Sequence, residues 1–354
     1  MDKDYLWDRS GDADPEIKKL EDVLGRLRHN RAAPVFPEMP VRMRRPILTK
    51  LLETRWTSAA ALALVVVAIS VVGSLVRSKQ PALGSAWKVT QIQGGPRLES
   101  RVIKASGGTA RLGLGQTLET DSQSKASIDL DEIGTVEVEP GTRLRVLRLN
   151  LELTQLALER GTIHAAIWAP PGQFVVDTPS AVAVDLGCAY TLHVDESGAG
   201  LLRTTLGWVG FKLGNRESFI PAGAVCRTKP KLGPGTPYFE DASESFRAAL
   251  VKLDFERGSV EERNAELNIV LAEARPKDAL TLWHLLSRED ESERGRVFDR
   301  LAKLVPAPPG VTREGILRGD SRMLDLWWGR LGLGDISLWR HWEGSWSAKR
   351  GAER

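Results

Sequence analysis

The stretch from Trp56 to Val76 carries no charged residue and reads WTSAAALALVVVAISVVGSLV between Arg55 and Arg77. About 20 apolar residues rising 1.5 Å each cover a hydrocarbon core of roughly 30 Å, so the run predicts one transmembrane helix over 56–76. The competing readings are a buried core helix or a late signal peptide. The run is long for the first, and it begins too far into the chain for the second. Arg42, Arg44, Arg45, Lys50 and Arg55 precede the run, whereas Arg77, Lys79 and Lys88 follow it. This bias predicts a cytoplasmic N-terminus and export of everything after about Arg77. The expected location is therefore a bacterial inner membrane, crossed once, with the C-terminal domains periplasmic and the lipid bilayer as a partner.

A segment of that kind divides the chain. The 354 residues hold 49 Lys+Arg against 46 Asp+Glu, a net +3 that is too small to suggest direct nucleic-acid binding by the whole chain. Residues 1–30 read as a helical head, acidic up to Leu24, and residues 31–55 as a basic stem made semi-rigid by Pro34, Pro37, Pro40 and Pro46. Asp14-Pro15-Glu16 is a helix start, with Asp as N-cap, Pro in the first turn and Glu at the positive dipole end. Ile17, Leu20, Leu24 and Leu27 then place one apolar stripe on that helix, and Tyr5 and Trp7 add aromatic anchors. A helix this short is marginal alone, so the stripe predicts a partner. Folding back on the Tyr5–Trp7 segment, or lying on the membrane surface, is the other way to cover it.

Beyond the apolar run, residues 77–109 read as a linker with entry strands, and 110–229 as an all-β domain. Ala126-Ile128-Leu130, Val136-Val138, Leu144-Val146 and Phe174-Val176 skip one residue each, the period of a half-buried strand, and Gly-Thr recurs at 134, 141 and 161 before aliphatic runs. Many short strands imply a sandwich or a coiled, solenoid-like sheet; periodicity does not choose between them. Residues 230–242 form a Gly/Pro linker. An α-helical domain over 243–305 follows, with helices expected at 243–255, 260–274, 277–288 and 291–304, and then a Trp-rich C-terminal helix and tail over 306–354. Trp327 and Trp328 suit the core of a late helix; Trp339, Trp342 and Trp346 have no evident place.

The order GQTLETDSQSKASIDL, GTVEVEPGTRLRVL, LALERGTIHAAI, FVVDTPSAVAVDLGCAYTLHV, LGWVGF and IPAGAVCRT, spanning about Leu114 to Arg227, resembles the FecR-like domain. Asp177-Thr178-Pro179, Leu186-Gly187, Gly207 and Gly223 match that family's motif in order. Cys188 and Tyr190 stand where the family more often has Thr and Phe, which bears on local packing. The resemblance implies a transmembrane signal-transduction regulator of the anti-sigma type. Its cytoplasmic partner would be an extracytoplasmic-function sigma factor, and its exported domain would meet a periplasmic or outer-membrane protein or another envelope ligand. A membrane-anchored periplasmic binding or scaffold protein without a sigma factor is the other function this architecture suits.

Little points to catalysis. The five histidines show no metal-ligand spacing, no Cys precedes position 188, and no nucleotide loop or G-x-S-x-G is present, so we expect no enzyme, no metal and no cofactor. His193 beside Asp195 reads as a surface pair. Cys188 and Cys226 are the only cysteines. In an oxidising compartment they form a disulfide worth roughly 4 kcal/mol, or else remain two buried thiols packing as small hydrophobes. The topology is checked with a reporter active only after export. Fused after Lys229 it is expected to be active, and fused before Arg55 inactive; the reverse pattern refutes the orientation.

Overall fold

The computed structural model describes residues 86–103, 108–150, 152–337 and 339–342, with Lys19 alone before them. The head residues Tyr5, Trp7, Ile17, Leu20, Leu24 and Leu27, the stem, the run Trp56–Val76 and Trp346 lie outside the described residues. Among the described residues no helix is long and apolar enough to cross a membrane. What is described from Ala86 onward is a large β unit followed by helices, within one unit.

The strands make two sheets. The first runs β4 (Thr109–Gly113), β1 (Ala86–Gln93), β6 (Lys125–Asp129), β7 (Gly134–Val138), β9 (Thr154–Ile167), β12 (Ala189–Val194), β13 (Gly200–Leu206) and β16 (Ala224–Lys229). Two short strands, β17 (Gly233–Pro234) and β18 (Tyr238–Phe239), both pair with β16. The second runs β3 (Arg101–Val102), β2 (Arg97–Leu98), β5 (Thr117–Glu119), β8 (Arg143–Leu149), β9, β10 (Phe174–Asp177), β11 (Val182–Asp185), β14 (Trp208–Leu213) and β15 (Arg216–Pro221). Among the described strands only β9 and β10 pair in parallel.

Strand β9 belongs to both sheets, its Thr154–Arg160 half in the second and its Gly161–Ile167 half in the first. The switch falls at Gly161, whose φ is +95° and whose added Cβ would lie 2.3 Å from the Thr142 Cα, so only glycine fits. Thr142 Oγ1 accepts from the Thr162 N–H at 2.9 Å and donates to the Thr162 carbonyl at 3.1 Å. Two of the Gly-Thr pairs thus meet where the chain changes sheet. Two sheets that meet at this corner, with every described pair but β9–β10 antiparallel, make the β unit a sandwich, whereas a solenoid stacks its strands in parallel. The unit also begins earlier than 110, because β1 sits between β4 and β6 with Trp87 and Val89 in the core.

The alternating runs at 126–130, 136–138 and 144–146 bury their apolar members as the period requires. Phe174, Val175 and Val176 depart from it, since all three are fully buried. The reason is a third layer. Helices α1 (Glu244–Phe255), α2 (Val260–Glu273), α3 (Ala279–Leu286) and α4 (Glu291–Leu304) fall where the spacing predicts, and α5 (Arg313–Leu317) and α6 (Ser321–Trp328) follow; Ser243, Ser259, Asp290 and Asp320 are side-chain N-caps. They do not stand apart as a domain. Val175, Val184, Gly210 and Phe219 are neighbours across β10, β11, β14 and β15, and on that row Phe219 packs edge-on against Trp328 and Trp339 at 5.5 and 5.1 Å. Strands covered on both faces lose the polar half of their alternation.

The stretch expected as a linker is likewise packed. Gly233 to Tyr238 is buried throughout and supplies β17 and β18. The tail tryptophans find places as well. Trp339 is fully buried over Gly210, and Trp342 fills the space over Gly172, where an added Cβ would lie 2.0 Å from its ring in each case. Gly210→Val, a change that ordinarily suits a strand, is therefore expected to lower stability by about 1–3 kcal/mol through overpacking. In that background Trp339→Ala should cost clearly less than the roughly 3–5 kcal/mol it costs alone. Urea unfolding of the four variants measures the coupling, and additive losses would show that the two residues do not share a site.

Candidate functional site

The family-motif residues form turns at the two ends of the sandwich. Asp177 ends β10 and accepts from Gln155 Nε2 at 2.8 Å. Thr178 closes the tight turn to β11. Its hydroxyl accepts from the Ala181 N–H at 3.0 Å and donates to the Ala181 carbonyl at 2.7 Å, as Ser/Thr turns do. Pro179 lies against Gly198 of the β12–β13 turn, and the Ser180 and Thr228 hydroxyls are 2.5 Å apart. This end thereby ties the second sheet to the first.

At the other end Leu186 donates its N–H to the Trp208 carbonyl at 3.2 Å, and Gly187, at φ +85°, turns its N–H onto Asp185 Oδ1 at 2.7 Å. Gly207 passes so close that an added Cβ would lie 2.0 Å from the Gly187 carbonyl oxygen. Gly223, at φ +81°, donates to the Thr204 carbonyl at 2.9 Å. Leu186, Gly187, Gly207 and Gly223 therefore gather at one end, and Asp177, Thr178 and Pro179 at the other. Their chemistry is that of turn formation.

The two departures from the family pattern build something of this chain's own. Cys188 donates its S–H to Asp185 Oδ2, so the carboxyl group holds both the thiol and the Gly187 N–H although it is almost wholly buried. Tyr190, fully enclosed nearby, has a hydroxyl with no hydrogen-bond partner among the described residues. Burial pushes the Asp185 carboxyl up to about 7, against the lowering influence of its two donors. Burial, and then the adjacent carboxylate, push the Cys188 thiol far above its ordinary range, which makes it inert as a nucleophile.

Cys188 and Cys226 do not form a disulfide. Both are free and buried. Leu192 is in register with Leu202, and Leu202 with Cys226, so the two cysteines stand two strands apart and four residues out of register. That is a separation of roughly 16 Å, against the 7 Å beyond which two Cys cannot be bridged. Cys226 faces the Gly235 carbonyl at 3.2 Å instead, and burial pushes its thiol up to about 12. The missing cue was strand register, which two isolated cysteines do not report.

The outer face of the first sheet carries His164 and His193. His164 Nδ1 lies 2.8 Å from Thr191 Oγ1, and His193 Nδ1 2.8 Å from Thr162 Oγ1, in matching positions on β9 and β12. Asp195 spends its carboxylate on its own turn, accepting from Ser197 and Ala199, so His193 and Asp195 do not form a dyad. Among the described residues no cluster of His, Cys, Asp and Glu could hold a metal ion. At the Gly187 end of this face Trp168 and Leu206 are 62% and 68% exposed, a feature that no periodicity in the sequence signals.

No family model matches the sequence, and no curated protein does. Among solved structures, two crystal structures of a candidate anti-sigma factor from Parabacteroides distasonis, at 1.65 and 2.50 Å resolution, are similar. Each is 16% identical over 44% of this chain, with 74% and 73% of its own length covered and a TM-score of 0.32.

Asp185 makes stability depend on pH in a particular direction. Its folded value, about 7, lies above the ordinary 3.8, so the unfolded chain releases this proton first as pH rises. The stabilisation it confers is complete below 3.8, falls by about 1.4 kcal/mol for each pH unit crossed in the interval, and is gone above about 7. Asp185→Asn removes the titration. The difference in unfolding free energy between wild type and this variant is expected to move against the wild type from pH 4 to 7 and then level off; a difference independent of pH would refute the assignment.

Proposed function

We propose that this chain is a membrane-anchored signal-transduction regulator of the FecR-like, anti-sigma type, working through protein contacts and not through catalysis. The observation that carries the reading is the motif from Asp177 to Gly223. Thr178, Gly187, Gly207 and Gly223 stand in turns that their residue types suit, and the motif as a whole lies where the two sheets of one β unit are joined. Support also comes from the chain order: a head with an apolar stripe, a charge-free run long enough to span a bilayer, and then this unit. In this reading the cytoplasmic head, through Ile17, Leu20, Leu24 and Leu27 with Tyr5 and Trp7, holds an extracytoplasmic-function sigma factor. The periplasmic β unit and its helical layer meet an envelope protein or ligand.

The test is co-purification of sigma factors with the full-length chain in detergent. Leu20→Asp with Leu24→Asp removes roughly 1.5–3 kcal/mol of contact per buried side chain and adds charge desolvation, so sigma-factor binding should weaken more than about a hundredfold. Arg42, Arg44 and Arg45 changed together to Gln should leave it unaltered, as stem residues facing the membrane. If the wild-type chain retains no sigma factor, the anchored scaffold becomes the better reading.

A further inference from the structure

We infer that the Gly187 end of the first sheet docks on the surface of a zwitterionic phospholipid bilayer through Leu114, Trp168 and Leu206. These are the three most exposed large apolar side chains of the described β unit, at 64%, 62% and 68%. The register places all three at the same end. Lys88 pairs with Asp129, Asp129 with Thr135, Thr135 with Ala166, Ala166 with Ala189, and Ala189 with Leu206. Trp168 lies two residues beyond Ala166 on that line, and Leu114 just beyond Gly113, which pairs with Ala86. The apolar tips are thus spread over the sheet's width, from β4 through β9 to β13, six strand spacings or roughly 29 Å. A row of that length meets a flat surface more readily than a pocket.

The character of the residues points the same way. Trp168 is the one exposed tryptophan among those described, the others being buried or half-buried. Its backbone N–H donates to the Ile133 carbonyl at 3.1 Å, which fixes the main chain from which the indole projects. An indole at the rim of an apolar row is the side chain enriched at the headgroup level of membranes. Asp129, Asp131 and Glu132 are exposed at this end beside Lys88 and Arg111, so the charge does not favour an anionic surface and leaves apolar insertion as the attraction.

Chain connectivity supplies the bilayer. Strand β1 begins at Ala86, at this same end, and residues 77–85 are all that separate it from the charge-free run ending at Val76. Nine residues reach at most about 30 Å when extended. The inference rests on the reading that 56–76 spans the bilayer. Given that, a nine-residue linker keeps Ala86, at the Leu114–Trp168–Leu206 end, within about 30 Å of the bilayer.

The test uses the full chain in phosphatidylcholine vesicles, spin-labelled at one site at a time through Trp168→Cys, Leu206→Cys or, as the distal control, Ser197→Cys in the β12–β13 turn. The native thiols are buried. Relaxation of each label by oxygen, which concentrates in lipid, is compared with relaxation by a water-soluble nickel chelate. Labels at 168 and 206 are expected to shift toward oxygen relative to 197. Equal ratios at all three sites, in chain that resists alkaline carbonate extraction, would overturn docking while leaving the anchor intact. Labels at 168 and 206 screened from both agents would overturn it in favour of a protein partner. Release of the chain by carbonate would remove the anchor and this inference together.

Discussion

A buried carboxylate ties the first helix of the helical layer to the sandwich. Asp254, near the end of α1, accepts from Arg216 at 2.7 Å, from Arg288 at 3.2 Å, and from the N–H and hydroxyl of Thr236 at 2.6 and 2.9 Å. Arg288 in turn donates to the Glu217 carbonyl and the Ser218 hydroxyl of β15, both at 2.7 Å. The side chains of Arg288 and Asp254 are only 8% and 6% exposed. Burying two charges costs several kcal/mol each, and their attraction offsets this only when the remaining donors and acceptors are met, as they are here. The consequence is positional more than energetic. With its lone pairs committed to β15, to the segment after β17 and to the turn between α3 and α4, Asp254 favours one seating of the helices.

That seating explains the tryptophans. Once the helices are fixed over β14 and β15, the row Val175–Val184–Gly210–Phe219 needs a flat, apolar cover, and the glycine leaves room for a whole indole. Trp339 takes the space and donates its Nε1–H to Glu217 Oε2 at 2.9 Å, and Arg340 pairs with the other oxygen of Glu217 at 2.8 Å. His284 seals the same interface from α3. Its Nε2 accepts from the Phe219 N–H at 2.9 Å, so its proton sits on Nδ1, against the Leu280 carbonyl at 2.8 Å. Trp339 and Trp342 are therefore part of the core of a unit whose first described strand begins at Ala86.

Much of this was legible in the residues, and what was not has physical reasons. Local signals carried the helices: Ser259 with Glu262, Asp290 and Asp320 cap where they stand, because capping is a contact between near neighbours in sequence. Alternation found the strands whose outer face meets water and failed at Phe174–Val176, where a second cover removes the polar half of the pattern. Gly233–Pro237 has linker composition, yet a stretch joined by Arg216 to the Pro234 carbonyl and by Asp254 to Thr236 is core. The separation of Cys188 from Cys226 was hidden for a related reason: register depends on where each strand starts. The motif turns were readable because glycine at positive φ and Thr-Pro turns are local. Their gathering at two ends of a sandwich is a property of the fold.

Two buried titratable groups then act on stability in opposite directions. Asp185, between the sheets, is held above its ordinary range and favours the folded state as pH falls. His284, between sheet and helices, is held well below its ordinary 6.5 by burial and, secondarily, by Arg288; protonation would end its acceptance from Phe219 and place a second cation beside Arg288. It therefore favours the folded state above 6.5 and disfavours it progressively as pH falls below that value. Each group weakens one interface: the sheet-to-sheet contact at high pH, the sheet-to-helix contact at low pH. Between about 3.8 and 6.5 the two contributions therefore run against each other, Asp185 favouring the folded state as pH falls and His284 as it rises.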